Sequence, residues 1–219
     1  MTFPLPRPAR LAVFASGRGS NLAALLTAFP PGDPLAAVVL CVSNKRSAGA
    51  LTLAEQHGVA ARFVPFGADR GGFEREATRL LGEFAADLVC LAGFMRVLSP
   101  EFTGRYAGRI LNVHPSLLPA FPGLHAQRQA LEAGVRESGC TVHFVDAGVD
   151  TGAAVVQRRV PVLPGDTEAA LTARILTEEH RSYPEALRLV LSGQVTYKSD
   201  GKTSSTNAKS VTKADGVRA

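Results

Sequence analysis

Asn112 and His114 stand two residues apart in the run RILNVH, and Pro115 follows directly. In a strand the side chains alternate, so both polar groups would project from one face, at the point where the proline stops the ladder. An amide beside an imidazole at such a place suits proton transfer and stabilisation of an oxyanion. A carboxylate would complete the set. Asp150 lies in the turn-rich segment DAGVDTG, between Gly148 and Gly152, and is free to point toward His114. A carboxylate close to an imidazole favours the charged ring and raises its pKa. The expectation is a trio, with His114 as acid and base, Asn112 as oxyanion donor and Asp150 keeping His114 protonated. No Ser or Cys occupies an elbow motif, so covalent catalysis is not implied.

A second cluster, ASGRGSNL at 15–22, reads as a strand end, a glycine-rich turn and a helix opening on Ser20 and Asn21. Free N–H groups and the helix dipole favour an anion there. A dinucleotide site needs a third glycine, but Leu22 follows Gly17 and Gly19 at that place, and the CVSNKRS segment lacks the acidic ribose binder. No Gly-Lys-Ser/Thr follows, which excludes a P-loop. A phosphate monoester fits better, with a tight turn before a helix as the plain structural alternative. A third cluster, GFMRVLSP at 93–100, follows an apolar run. It and the Asp150 segment are both expected at carboxyl ends of strands, where open α/β sheets bind ligands. The five histidines show no i,i+4 pair and no C-x-x-C partner, so no metal site is expected. His143, inside the apolar run CTVHFV, reads as a core histidine, and His125 and His180 as helix-surface residues.

The elements that must position these groups alternate. Strands are expected over 10–15, 35–42, 61–66, 87–94, 109–114, 140–145 and 154–162. Helices are expected near 20–28, 47–57, 70–85 and 124–134, with a longer one over 167–192. Early strands that are almost continuously apolar are buried on both faces. The pattern predicts an α/β fold: one domain with a doubly wound, mostly parallel sheet. Only DAGVDTG separates the last two strands, which predicts an antiparallel pair at one side. Residues 1–9 read as an extension, 10–195 as the catalytic domain and 196–219 as a flexible basic tail.

The composition, 46 % hydrophobic and 20 % charged over 219 residues, is that of a globular chain. No apolar run reaches the ~20 residues of a membrane helix, and the prolines of MTFPLPRPAR replace an export signal's apolar stretch. Cys41, Cys90 and Cys140 are widely spaced in apolar segments, which predicts buried free thiols and a cytoplasmic protein. The net charge of +5 is no nucleic-acid signature, because residues 198–219, with five Lys/Arg and two Asp, supply +3 of it. That stretch lacks aromatic residues, Leu and Ile, and cannot offset its ordering entropy.

The segments SGRGSNL, LAGFMRVLS, LNVHPSLLPAFPGLHAQRQAL and VHFVDAGVDTGAAVVQ occur in order. Together they resemble the folate-dependent phosphoribosylglycinamide formyltransferases, over about residues 10–192. The N-x-H-P-S-L-L-P element is shared with methionyl-tRNA formyltransferase and formyltetrahydrofolate deformylase. The GSN loop and the LLPAFPGLHAQRQAL segment resemble the glycinamide enzyme. The resemblance implies a Rossmann-like formyltransferase fold acting in purine biosynthesis, with 10-formyltetrahydrofolate as co-substrate and no permanently bound cofactor. It also implies small-molecule partners, neither nucleic acid nor membrane, and a monomer or weak homodimer. By the same match Asn112, His114 and Asp150 are catalytic, and Gly19, Ser20 and Asn21 hold the substrate phosphate. Arg70, Met95, Arg96, Val97, Leu98 and Asn112 would contact folate, and Glu179 the glycinamide portion. Hydrolysis of the formyl folate, or folate binding without turnover, are the rival readings.

Overall fold

The computed structural model describes residues 3–5, 7–67, 70–198 and 202–205. Its chain order is β1 (Ala9–Ala15), α1 (Ser20–Ala28), β2 (Ala36–Ser43), α2 (Gly49–Gln56), β3 (Ala60–Phe63), α3 (Arg70–Glu83) and β4 (Leu88–Leu91). There follow α4 (Pro100–Arg105), β5 (Ile110–His114), α5 (Ala126–Glu132), β6 (Glu137–Phe144), β7 (Ala154–Pro161), α6 (Glu168–Leu191), β8 (Val195–Tyr197) and β9 (Thr203–Ser205).

Seven strands form one sheet in the order β3-β2-β1-β4-β5-β6-β7. The first five pair in parallel, while β6 is antiparallel to β5 and β7 to β6. The expected α/β class, mostly parallel sheet and reversed pair are all present. Strands β1 and β4 are buried almost throughout, as two-sided cover requires. One face of β5 sends Leu111 and Val113 into a core with Leu22, Leu25, Leu171, Ile175 and Tyr183 of α1 and α6. The Tyr183 hydroxyl, fully buried, lies 2.9 Å from the Leu111 carbonyl and 3.1 Å from that of Leu91, tying α6 to both strands. The other face packs Phe14, Phe73, Leu80, Phe102 and Ile110 under α3 and α4. Ile110, Asn112 and His114 share that face by the strand period. Apolar cover meets Ile110, while the two polar residues line a cavity.

Three elements, α4, β8 and β9, were not expected. The short α4 starts on Pro100 and is capped by Ser99, whose hydroxyl accepts from the Phe102 N–H at 3.1 Å. Within the span expected as a flexible tail, β8 and β9 pair antiparallel. Tyr197 explains it: its ring packs against Phe144 at 5.1 Å, and a side chain at Gly108 would collide with it. Residues 199–201 and 206–219 of the expected flexible tail lie outside the described residues. Truncation after Tyr197 removes β9 and should lower Tm by about 2–4 °C, the effect of ~1 kcal/mol in a chain of this size. Truncation after Ser205 should leave Tm unchanged. Thermal melts that coincide for the two truncations would contradict a stabilising hairpin.

Cys41, Cys90 and Cys140 are free and buried, and burial pushes their thiols up to about 12, 12 and 11. These are inert packing groups. Among the described residues no helix is long and apolar enough to cross a membrane.

Candidate active site

His114 ends β5 and is buried, with its ring held at both nitrogens. Nε2 lies 2.9 Å from the Phe121 carbonyl and Nδ1 3.2 Å from Asp150 Oδ2. Either neutral tautomer would turn one nitrogen lone pair toward an oxygen, so this geometry is fully satisfied only by the imidazolium. Burial opposes that charge and prevails. It lowers the His114 pKa below its ordinary value, against the upward pull of the Phe121 carbonyl and Asp150. The expectation that Asp150 keeps the ring protonated is therefore corrected: Asp150 pulls in the expected direction, but desolvation is the larger effect. Burial also opposes ionisation of Asp150. The Gly123 N–H and the His114 ring pull the other way, and the carboxyl lies below its ordinary value.

Asp150 reaches His114 by an unexpected route. Because β6 runs antiparallel, Phe144 pairs with Leu111 and the strand ends beside the start of β5, not at the carboxyl edge. The following loop must return along the sheet. It is shaped by Asp146, whose Oδ1 accepts from the Gly148 N–H at 3.0 Å and from the Thr151 hydroxyl at 2.6 Å. Gly152 is required there, since a Cβ would lie 1.8 Å from the Phe144 carbonyl oxygen. Asp150 itself is left-handed, with φ 55°, and its Oδ2 accepts from the Gly123 N–H at 2.8 Å.

Asn112 lies opposite His143 in the β5–β6 register. Its Nδ2 is 3.2 Å from His143 Nε2 and 3.5 Å from Asp150 Oδ1. His143 Nδ1 faces the Phe144 carbonyl at 2.8 Å, which places the proton on Nδ1 and leaves Nε2 to accept from the amide. His143 is buried, as a core histidine should be, yet it belongs to the site. Its register with Asn112 was the missing signal, and pairing between distant strands cannot be read from one segment.

These groups wall a cavity of about 450 Å³, a size suited to a small-molecule ligand. The segment 93–98 forms one side, with Met95 and Val97 58 % and 53 % exposed at the opening. Leu98 is buried beneath them, and the Arg96 guanidinium stacks 5.2 Å from the Phe66 ring. Arg70 is exposed as the first residue of α3 and is not among the wall residues.

The glycine-rich turn follows β1. Gly19 has φ 90°, and a Cβ there would meet Ala50 Cα at 2.8 Å, so only glycine fits this approach to α2. The first bond of α1 runs from the Ala23 N–H to the Gly19 carbonyl, which leaves the N–H groups of Ser20, Asn21 and Leu22 outside the helical ladder. The Asn21 side chain does not cap the helix. It turns inward and donates from Nδ2 to Glu179 Oε2 of α6 at 2.7 Å. Glu179 is buried, and burial pushes its carboxyl up against the opposing effect of Asn21. Two residues expected at separate parts of one substrate thus form a single buried joint. Among the described residues no cluster of three or more His, Cys, Asp or Glu is placed to hold a metal ion.

Residues 9–187 match the formyl transferase family. The chain belongs to that family. The formyl transferase match takes in β1 through most of α6, and so every element that carries the site. The chain is 44 % identical over 187 residues to the phosphoribosylglycinamide formyltransferase of Escherichia coli, covering 84 % of this chain and 88 % of that one. It is 51 % identical over 191 residues to the trifunctional purine biosynthetic protein adenosine-3 of Drosophila melanogaster, covering 85 % of this chain. It spans only 14 % of that longer protein's length. The crystal structure of glycinamide ribonucleotide transformylase 1 from Symbiobacterium toebii superposes with a TM-score of 0.87 at 44 % identity, covering 93 % of this chain and 96 % of that one.

Proposed function

We propose that this formyl transferase moves the formyl group of 10-formyltetrahydrofolate to the amine of 5-phosphoribosylglycinamide, giving formylglycinamide ribonucleotide and tetrahydrofolate in purine biosynthesis. One observation carries the reading: a buried imidazole with an acceptor on each nitrogen stands beside an amide at the wall of a ligand-sized cavity. Folate occupies that cavity against residues 95–98, and the Arg70 cation, outside it, meets the anionic end of the co-substrate. The substrate phosphate sits on the free N–H groups after Gly19. Glu179, turned toward the same loop by Asn21, takes the glycinamide portion.

The amine attacks the formyl carbon, a C–N bond forms, and the formyl oxygen gains negative charge. Asn112 donates to that oxygen. Its 3.5 Å contact to Asp150 is the longer of its two and the one an oxyanion displaces. His114 takes the proton the amine loses, directly or through a water. It then faces the oxyanion as imidazolium and returns the proton to the folate nitrogen as the old C–N bond breaks. Asp150 offsets the cost of that buried charge. A depressed pKa suits this duty, because the ring charges only when a second negative charge develops beside it.

The test is spectrophotometric: folate deformylation with and without phosphoribosylglycinamide. Turnover that requires the acceptor, with formyl recovered on it, is expected. Acceptor-independent turnover would make the chain a hydrolase, and binding without turnover a folate-binding module.

Asn21→Ala should weaken phosphoribosylglycinamide binding about 10-fold or more, because it unpairs the buried Glu179 and disturbs the start of α1. Folate binding should change far less. Calorimetric titration of each ligand checks this, and equal losses for both would assign the Asn21–Glu179 joint a purely structural role.

A further inference from the structure

Ser16 directly precedes the glycine-rich turn and is buried, 4 % exposed. From its own place just after β1 it touches the loops that follow β2 and β4. Its N–H donates to the Gly93 carbonyl at 3.0 Å, extending the β1–β4 pairing by one step. Its hydroxyl lies 2.6 Å from Asn44 Oδ1, beyond β2, and accepts from the Met95 N–H at 3.0 Å. The direction of the hydroxyl is settled by these partners. The Met95 N–H can only donate, so Ser16 Oγ is the acceptor there and its own hydrogen goes to Asn44.

This bond ties the backbone of a segment whose side chains Phe94 and Leu98 are buried and whose Arg96 stacks on Phe66. Gly93, at φ 70°, turns the chain back toward β1, and the Met95 side chain that follows is mostly exposed. The far end of the segment has a separate tether, since Glu74 accepts from both the Ser99 N–H and the Ser99 hydroxyl at 2.6 Å. Between Gly93 and Ser99, the Met95 N–H bond is the point at which the cavity wall is referred back to the phosphate side of the site.

We propose that Ser16 is a positioning residue for the folate co-substrate. Its hydroxyl, aimed by Asn44, sets the backbone of residues 95–98 and thereby the distance between the folate cavity and the turn at Gly17–Asn21. The inference rests on the folate reading of that cavity.

Steady-state kinetics with both substrates, on Ser16→Ala, Asn44→Ala, the double variant and Ser16→Thr, tests it. Ser16→Ala should raise the KM for 10-formyltetrahydrofolate about 5- to 10-fold, the effect of one net hydrogen bond, with kcat and the KM for the phosphorylated acceptor within about 2-fold. Asn44→Ala should move the same KM in the same direction by less. The double variant should match Ser16→Ala alone, because Asn44 acts through the hydroxyl. Ser16→Thr keeps the hydroxyl and should recover most of the loss. An unchanged folate KM in well-folded Ser16→Ala, parallel rises in both KM values, or additive losses in the double variant would each overturn the proposal. Tetrahydrofolate binding, followed by fluorescence, gives a readout independent of turnover. A wild-type protein that binds tetrahydrofolate without transferring formyl would refute the function proposed above, while the same binding comparison across the variants would still decide the role of Ser16.

Discussion

Asp150→Asn is expected to lower kcat at pH 7.5 by about 100-fold, the usual size of losing one electrostatic partner of the transition state, with both ligands still bound. The amide nearly matches the carboxylate in shape, and its oxygen can still accept from the Gly123 N–H. What disappears is the charge 3.2 Å from His114 Nδ1. The sign follows from the forces on the ring. Burial already holds the His114 pKa below its ordinary value, and Asp150 pulls it upward, so removing Asp150 lowers it further. At pH 7.5 less of the imidazolium then faces the oxyanion. Because His114 must start neutral to take the amine's proton, lowering the pH should not restore the residual rate, which should fall further as solvent protonates the ring and the amine. A variant with near-normal kcat at pH 7.5, alongside an inactive His114→Ala, would sever Asp150 from the chemistry of His114.

Asn112→Ala should also reduce kcat by about 100-fold or more, through loss of the oxyanion donor. It leaves His143 Nε2, a buried acceptor, without its amide partner, so a Tm loss of a few degrees is expected as well. The two effects separate in the kinetics. A donor used only in the transition state lowers kcat and kcat/KM together, whereas a packing fault in the wall raises KM. Single-turnover measurement of formyl transfer with saturating folate distinguishes them, and a rise in KM at constant kcat would remove Asn112 from the chemical step.

Much of this site could be read from local pattern. The i,i+2 spacing of Asn112 and His114 placed both on one strand face, and the glycine-rich turn announced a helix with free N–H groups. Strand and helix order followed from apolar runs long enough to carry their own period. What escaped depended on distant pairing. His143 enters the site through its register with Asn112, and Asp150 arrives by a loop that returns from the reversed end of β6. The direction of the His114 pKa escaped for another reason: a nearby carboxylate is visible in sequence, but the desolvation that outweighs it belongs to the folded cavity. The β8–β9 pair was hidden because the composition argument covered residues 198–219, whereas its anchor, Tyr197, lies within the expected tail of 196–219 but one residue before that stretch.

If Asp150 draws a proton onto a ring that burial disfavours charging, the titration of His114 must respond to its loss. Nitrogen NMR of selectively labelled protein would follow both ring nitrogens of His114 against pH in the wild type and in Asp150→Asn. Wild-type His114 is expected to titrate below the ordinary ~6.5 of a free histidine, with the midpoint falling further in the variant. Coincident midpoints, or a wild-type ring charged well above pH 7, would contradict it.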